Sequence, residues 1–366
     1  MSIAQSLKNK IGFGAHQTQT MPVQTGNVTK IVVDCFGGDK GPAAVVDGAA
    51  RALTRFGDLH VILSGDETVI RPLAEKHPEM TGRYTVLHAP DVITCDDKPT
   101  DAIRQKRDSS MMRGISLLRE DDSVAGLVTL GSSGAIVAAG TLRVGRLRGV
   151  QRPTFCPILP TMNGGIVGIC DSGANLDCKP DYFQQYAVMG SLYLQKVYGI
   201  ANPRVALLNV GVEADKGDDL HRCAYEMLSN TPGINFVGNM EGRDLLSGKY
   251  DLVVCDAFSG NVLIKATEGT AMELLKKLKR DIGERLLYKM GAGLMYKMFM
   301  QEKEFMNYHN YGGSVLLGTN RLIVKGHGSS NAVAVDKCIE QAYKMSASQL
   351  NPVMETALCA LPSAKL

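Results

Sequence analysis

Short apolar runs that end in glycine beside a polar or charged residue recur along this chain, and they constrain its fold more than any other feature. The first is IVVDCFGGDKGP, residues 31 to 42. Ile31 to Val33 read as a buried strand, and Val45, Val46, Ala49, Ala50 and Leu53 then fall at helical spacing. Between them Gly37 and Gly38 lack a Cβ, so the turn can take positive φ and bring backbone close to a ligand, while Pro42 suits a first helical turn. A plain strand-to-helix turn with Asp39 near the cap would read the same way. Apolar β-like runs recur at LHVILSG (59 to 65), YTVLHA (84 to 89), VAGLVTLG (124 to 131), RVALLNVG (204 to 211) and YDLVVCDAF (250 to 258), with helical patterns between most of them. Such alternation predicts an α/β fold, a parallel sheet covered by helices on both faces, with ligands at the carboxyl ends of its strands.

The middle of the chain departs from this series. PTFCPILPT (153 to 161) and GGIVGICDSGAN (164 to 175) are close apolar runs with no helix between them, which predicts adjacent antiparallel strands or an inserted lobe. A helix is expected from Pro180 to Tyr198, then a long helical stretch from Thr267 to Met306 broken near Gly291 and Gly293. At 366 residues and 45% apolar content, the chain suits one large α/β domain or two lobes around a cleft. Residues 1–29, rich in Gln, Thr and Gly and lacking the apolar core of a secretory signal, are expected to be a flexible extension. Residues 30–348 would form the α/β domain and residues 349–366 a tail. No run reaches the roughly 20 apolar residues of a spanning helix. A net charge of +3 without a strongly basic arm argues against a nucleic-acid partner. The cysteines, with no CxxC and no metal-ligand spacing, fit reduced, cytoplasmic usage.

The strand exits should therefore carry the function. In TLGSSGA (129 to 135), backbone amides of Gly131 to Gly134 and the Ser132 and Ser133 hydroxyls can cradle phosphate or carboxylate at a helix start. An ordinary serine N-cap fits too, and the Gly-Lys-Ser/Thr ending of a Walker A loop is missing. DSGANLDCKPD (171 to 181) and NVGVEADKGDD (209 to 219) each set a lysine, Lys179 or Lys216, just before a helix. Either can neutralise a phosphate while Asn175 or Asn209 donates to its oxygens; surface pairing with Asp177, Glu213 or Asp215 is the alternative. CDAFSGNVLIKATEG (255 to 269) leaves a strand with Asp256, turns at Ser259 and Gly260, and starts a helix carrying Lys265 and Glu268. KGHGSSNA (325 to 332) sets His327 between glycines, where it can move a proton near neutrality or simply cap a helix. Neither a GxSxG elbow nor an HExxH motif occurs. A site rich in anion cradles and poor in familiar nucleophiles suggests that bound phosphate is itself the attacking group.

The order of these segments resembles the acyl-acyl carrier protein:phosphate acyltransferase family, which begins phospholipid synthesis in bacteria. The resemblance runs through DCFGGDKGP, GSSGA, LPT, DSGANLDCKPDYFQQYAVMGSLY, NPRVALLNVGVEADKG, NFVGNMEGRDLLSG, VVCDAFSGNVLIKATEG, YGGSVLLG and KGHGSSNA, from residue 31 to about 343. Cys35 and Phe36 stand where the family usually has Ala-Met, and Ser132 and Ser133 where it has Asn-Thr, so the backbone cradle carries over and an Asn or Thr side-chain role does not. The resemblance implies a homodimeric enzyme with a three-layer α/β/α sandwich and mostly parallel sheet, similar to isocitrate dehydrogenase and phosphotransacetylase, with an inserted helical hairpin. It implies transfer of a fatty acyl group from acyl carrier protein to inorganic phosphate without metal, nucleotide or other cofactor.

On that reading Lys179 and Lys216 would hold phosphate together with the 131–134 loop. Asn261 and the 259–261 amides would serve the oxyanion, and His327 would protonate the departing thiolate or bind phosphate. Gly37 and Gly38 would let amides approach substrate, with Asp34 and Asp39 fixing that loop, and Asp256, Ser259 and Gly260 would line the substrate. RVGRLRGVQR supplies Arg143, Arg146, Arg148 and Arg152 at a helix end, to dock an acidic carrier or to complement the helix dipole. In LLYKMGAGLMYKMFM (286 to 300) only Lys289 and Lys297 interrupt an apolar run. Gly291 and Gly293 would turn it into a hairpin tip that meets an anionic membrane surface, at the inner face of the cell membrane, or the other subunit. A phosphotransacetylase acting on acyl-coenzyme A and a non-catalytic acyl-binding membrane scaffold are the alternatives.

Overall fold

Apolar spacing that switches between period two and period 3.6 makes strand and helix alternate along the chain. The computed structural model describes residues 28–305 and 311–361. The first half runs β1 (Thr29–Asp34), α1 (Gly41–Arg55), β2 (Leu59–Gly65), α2 (Glu67–Ala74), β3 (Tyr84–His88), α3 (Pro99–Gln105), α4 (Ser110–Glu120), β4 (Val124–Thr129) and α5 (Ser133–Ala139), which continues as a wide turn over Gly140–Val144. The middle is β5 (Thr154–Cys156), β6 (Ile158–Pro160), β7 (Ile166–Cys170), α6 (Pro180–Tyr198), β8 (Arg204–Asn209), α7 (Asp219–Ser229), β9 (Asn235–Glu241) and β10 (Leu252–Val254). The chain then passes through α8 (Ala257–Glu284), α9 (Leu286–Leu294), α10 (Tyr296–Phe305), β11 (Ser314–Leu317), β12 (Leu322–Lys325), α11 (Ala332–Ser346) and α12 (Leu350–Cys359).

The strands form two sheets. A seven-stranded sheet has the order β3-β2-β1-β4-β12-β11-β5, and a five-stranded sheet the order β6-β7-β10-β8-β9. In the larger, β3, β2, β1, β4 and β12 are parallel and release their chains at one edge, while β11 and β5 complete it antiparallel. In the smaller, β7, β10, β8 and β9 are parallel and β6 is antiparallel. Alternation along β1 explains the layers: Ile31 and Val33 join a core with Val45 and Val46 of α1 and Val335 and Ile339 of α11, whereas Val32 faces Met111, Met112 and Ile115 of α4. The first core continues to Phe183 and Tyr186 of α6 and to Val205, Leu207 and Val254 of the smaller sheet. That sheet's other face buries Val167, Ile169, Ala206 and Val253, with Leu263 and Ile264 of α8 packed over them. The fold class expected from the sequence is present, and α8 has one of its faces on a sheet.

Three expectations need correction. The single sheet is two, because Pro157 has no N–H to donate and interrupts the run PTFCPILPT: β5 pairs with β11, and β6 pairs antiparallel with β7 in the other sheet. The apolar hairpin does not turn at its glycines. Its breaks fall at Arg285, which is extended at φ −127° and ψ 136°, and at Met295, while Gly291 and Gly293 lie inside α9 without positive φ. Gly costs only about 1 kcal/mol relative to Ala inside a helix and does not by itself end one. Finally, the stretch set aside as a C-terminal tail begins as a docked helix, with Leu350, Met354 and Leu358 of α12 buried. Of the N-terminal extension, residues 1–27 lie outside the described residues and Thr29 already opens β1. Among the described residues no helix is long and apolar enough to cross a membrane.

Candidate active site

The exits of β1, β4 and β12, adjacent parallel strands, meet at one edge. The buried Asp34 carboxylate accepts the Thr129 hydroxyl at 2.7 Å and the Phe36 amide at 3.2 Å, and Thr129 Oγ1 in turn accepts the Gly131 amide at 3.1 Å. Burial pushes the Asp34 pKa up; hydrogen bonds from Ser110, Thr129 and the Phe36 and Gly37 amides pull it back. A Cβ on Gly37 would stand 2.7 Å from both Asp34 Oδ2 and Gly131 N, so glycine there lets two strand exits touch. The third exit joins through Asp39, whose amide donates to the Gly328 carbonyl at 2.8 Å, and through Gly326, whose amide donates to the Thr129 carbonyl at 2.9 Å.

In the smaller sheet the organising group is Asp171, fully buried at the exit of β7. Its Oδ1 accepts amides of Phe155 (3.2 Å), Ser172 (2.6 Å) and Ala174 (3.2 Å), and its Oδ2 accepts the amide and side-chain nitrogen of Asn175, both at 2.8 Å. Phe155 belongs to the larger sheet, so one carboxylate ties the two sheets together. Asn175 also donates to the Pro153 carbonyl at 2.7 Å, and its own carbonyl receives the Ala257 amide at 3.2 Å. The start of α8 is thereby pinned against this loop. Gly260 shows how closely: a Cβ there would lie 2.0 Å from the Asp171 carbonyl oxygen, and one on Gly173 would lie 3.5 Å from the Asn261 side-chain nitrogen.

α8 carries Lys265 across to the other sheet's exits, close enough to His327 and Lys325 to repel both. Burial pushes the half-buried Lys325 ammonium below the usual lysine range, and Lys265 adds to the effect. Partial desolvation and the same two lysines push His327 down, with Asp39 opposing them. His327 Nδ1 receives the Ser329 amide at 3.2 Å and lies 2.8 Å from Ser329 Oγ. An amide can only donate, so the neutral ring holds its proton on Nε2, facing away from its own loop. The neighbouring thiols are not activated. Burial raises Cys255 well above its ordinary value and Cys178 to about 12. Among the described residues no group of His, Cys, Asp or Glu is placed to hold a metal ion.

The residues singled out from the sequence divide accordingly. Asp34, Gly37, Gly38, Asp39, Gly131 and His327 share one loop cluster, and Asn175, Asp256, Gly260 and Asn261 another. Ser132 heads α5 without a side-chain cap bond, so it is not the ordinary N-cap; Gly134 sits against Pro99. Two expectations fail. The Ser259 and Gly260 amides are already taken by the Asp256 side chain and carbonyl, at 2.9 and 3.0 Å, and cannot form an oxyanion hole. The buried Asn209 donates its side-chain N–H groups to Lys216 O and Asn239 Oδ1, and its Oδ1 accepts the Val210 amide, which leaves no donor for phosphate. Gly37 and Gly38 also lack positive φ; within this turn Gly41 takes it, at 70°.

Lys179 and Lys216 are both exposed, and neither forms an ion pair among the described residues. Lys216 packs against Gly211, in the loop after β8 of the smaller sheet. The arginines do not form one patch. Arg143 donates to the Ile103 carbonyl at 3.2 Å and lines a hollow of about 180 Å³ with Arg107, Arg119, Met112, Ile115 and Ser116, whereas Arg146 binds the Gln151 carbonyl and Arg148 and Arg152 are exposed. Sequence reasoning missed Lys325 and Asp171, and noticed Lys265 without a role for it.

Comparison with known proteins gives the family and the fold. A family profile described as fatty acid synthesis protein matches residues 29–353. A curated relative called phosphate acyltransferase from Bacillus cereus (strain B4264) is 41% identical over 329 residues, 90% of this chain and 98% of its own. Another of that name, from Geobacillus thermodenitrificans (strain NG80-2), is 42% identical over 320 residues, 87% of this chain and 96% of its own. A solved phosphotransacetylase from Streptococcus pyogenes superposes with a TM-score of 0.58 at 17% identity, covering 94% of this chain and 99% of its own, and so shares the fold. A branched-chain phosphotransacylase from Enterococcus faecalis V583 does so with a TM-score of 0.56 at 13% identity, covering 88% and 100%.

The contact at Gly260 is open to direct test. Gly260→Ala should destabilise the protein by about 2–3 kcal/mol in urea unfolding, because the Asp171 carbonyl it meets is held by its own loop. Gly269→Ala on the same helix, with nothing within 4 Å of the new methyl, should be neutral or stabilising by about 0.5–1 kcal/mol. Equal stability of the two variants would mean that α8 is not pinned at its start.

Proposed function

This chain belongs to the phosphate acyltransferase family, and from that premise we propose that it moves a fatty acyl group from acyl carrier protein to inorganic phosphate. The products are free carrier and an acyl phosphate for phospholipid synthesis. The observation that carries the reading is the joined glycine exits of β1, β4 and β12 beside His327, while the thiols of Cys178 and Cys255 at the Asp171 loop are held protonated. Anion-binding backbone without an activated thiol suits a reaction that needs orientation more than a protein nucleophile.

A lone pair on a phosphate oxygen forms the new C–O bond at the thioester carbonyl, and the tetrahedral oxyanion is stabilised by the Asn261 side-chain amide. The carbonyl then re-forms as the C–S bond breaks, its electron pair leaves on sulfur, His327 Nε2–H donates a hydrogen bond to the departing thiolate, and the thiolate takes up the proton that the hydrogenphosphate nucleophile gives up. Ser132, Ser133 and the amides at the start of α5 contribute further donors to the substrate anion.

For the carrier, the hollow beside Arg107, Arg119 and Arg143 favours an acidic partner, with Met112 and Ile115 as its apolar floor. From Ser133 to Arg143 along a continuous helix is roughly 15 Å at 1.5 Å per residue, a span that a flexible acyl arm can bridge to the loop cluster. The enzyme is cytoplasmic and works as a homodimer that visits the inner face of the membrane. Supporting this, nothing in α9 is buried and Leu294 is 92% exposed, next to Lys289 and Lys297.

The reaction is tested by incubating the protein with long-chain acyl carrier protein and phosphate and trapping acyl phosphate with hydroxylamine. Phosphate-dependent hydroxamate is expected, and Arg107→Glu with Arg119→Glu should raise the KM for carrier but not for phosphate. Absence of hydroxamate would contradict the reading; better turnover of coenzyme A thioesters would make the protein a phosphotransacetylase. For the membrane, the parent should pellet reversibly with anionic vesicles, and Leu294→Asp with Met295→Asp should weaken this while dimer and soluble turnover persist. Dissociation of that variant to monomers, with a parent that never pellets, would assign α9 to the subunit interface.

A further inference from the structure

Lys265 and Lys325 bring two positive charges within electrostatic reach of each other near the exit of β12, and among the described residues no carboxylate forms an ion pair with either. Lys325 ends β12 in register with Thr129 of β4, and its ammonium donates to the Gly326 carbonyl at 3.2 Å. It is half-buried, in a position where an ammonium is ordinarily paired. Among the described residues neither lysine forms an ion pair. The nearest charges are alike: each lysine repels the other, and both repel protonated His327. The carboxylates within electrostatic reach are Asp39, which acts on His327, and Glu268, one turn along α8 from Lys265. The thiols of Cys95 and Cys338 complete the surroundings of Lys325.

We propose that Lys265, exposed on α8, and Lys325, half-buried at the end of β12, form the seat of the attacking phosphate at the boundary of the two sheets, in place of Lys179 and Lys216. This rests on the acyl-transfer reading above and assigns its nucleophile a position. A compact dianion is the counter-charge that the cluster lacks. Phosphate offers enough oxygens to accept from both ammonium groups while one oxygen stays directed at the acyl group. The helix supplies the alignment. Asn261 and Lys265 are four residues apart on α8, neighbours on one face with Cβ atoms about 5–6 Å apart, so phosphate on Lys265 lies one turn from the amide that meets the oxyanion. Glu268, further along, repels any anion that slides away from the carbonyl.

The test uses the full-length protein with Lys265→Met, Lys325→Met and the corresponding Lys→Arg variants. Each Met variant should raise the KM for inorganic phosphate at least tenfold while the KM for acyl carrier protein stays within twofold, and Arg should restore part of the phosphate affinity. Phosphate should raise the Tm of the parent and not that of the Met variants. Without phosphate, Lys325→Met should melt at the parent temperature or above it, because it relieves repulsion, and this separates a binding role from a structural one. An unchanged phosphate KM and an unchanged phosphate-induced Tm shift in both Met variants would overturn the seat while leaving acyl transfer intact. No phosphate-dependent product from a parent whose Tm phosphate still raises would instead contradict the reaction and keep the seat.

Discussion

A single buried carboxylate holds the two halves of this protein in register. Asp171 accepts Phe155 from the larger sheet and Ser172, Ala174 and Asn175 from its own loop, and every one of these partners is a nitrogen that donates. Such a ring of donors favours the charged form and opposes the burial that pushes the Asp171 pKa up. Removing the carboxyl group would leave several amides unanswered, each costing about 1–3 kcal/mol where buried. Because the Asn175 carbonyl then fixes Ala257, the direction of α8 follows from the same group. The reach of Lys265 toward β12 is a consequence of that direction.

Asp34 does the corresponding work in the larger sheet, joining β1 to β4 through Thr129. The two aspartates have structural partners on all sides, so neither is a base in the chemistry. What they leave open toward the seam is cationic: Lys265, Lys325 and His327, with Asp39 tempering the histidine. Buried carboxylates thus act as struts between strands while the cations lie at the strand exits, an arrangement of the kind the proposed anion site requires. The same helix that delivers Lys265 leads into α9 and α10, whose large apolar side chains, Leu294 among them, are exposed.

Much of this was legible in the sequence. Apolar runs marked the parallel strands, with β2 running from Leu59 to Gly65 and α6 from Pro180 to Tyr198 as expected, and glycine-rich exits pointed to the edge where function gathers. Local patterns could not show which exits share a sheet: Pro157 splits a run that reads as one strand, and only pairing partners reveal the consequence. The Ser259 and Gly260 amides looked available because their acceptor, Asp256, is recognisable as a cap only once the helix start is known. Lys325 and Lys265 were hard to join for a similar reason. One sits at a strand end and the other two turns into a helix, and their meeting depends on the Asp171 seam, which no spacing encodes.

The central claim is that phosphate attacks the thioester directly and that no protein group is acylated. The competing nucleophile is Ser329, whose hydroxyl lies 2.8 Å from His327 Nδ1 but shares that acceptor with its own amide. Rapid-quench mass spectrometry of the protein mixed with acyl carrier protein in the absence of phosphate decides between them. The account predicts unmodified protein and no burst of free carrier thiol until phosphate is added. A stoichiometric burst, with the acyl mass found on Ser329 or on any cysteine, would contradict it.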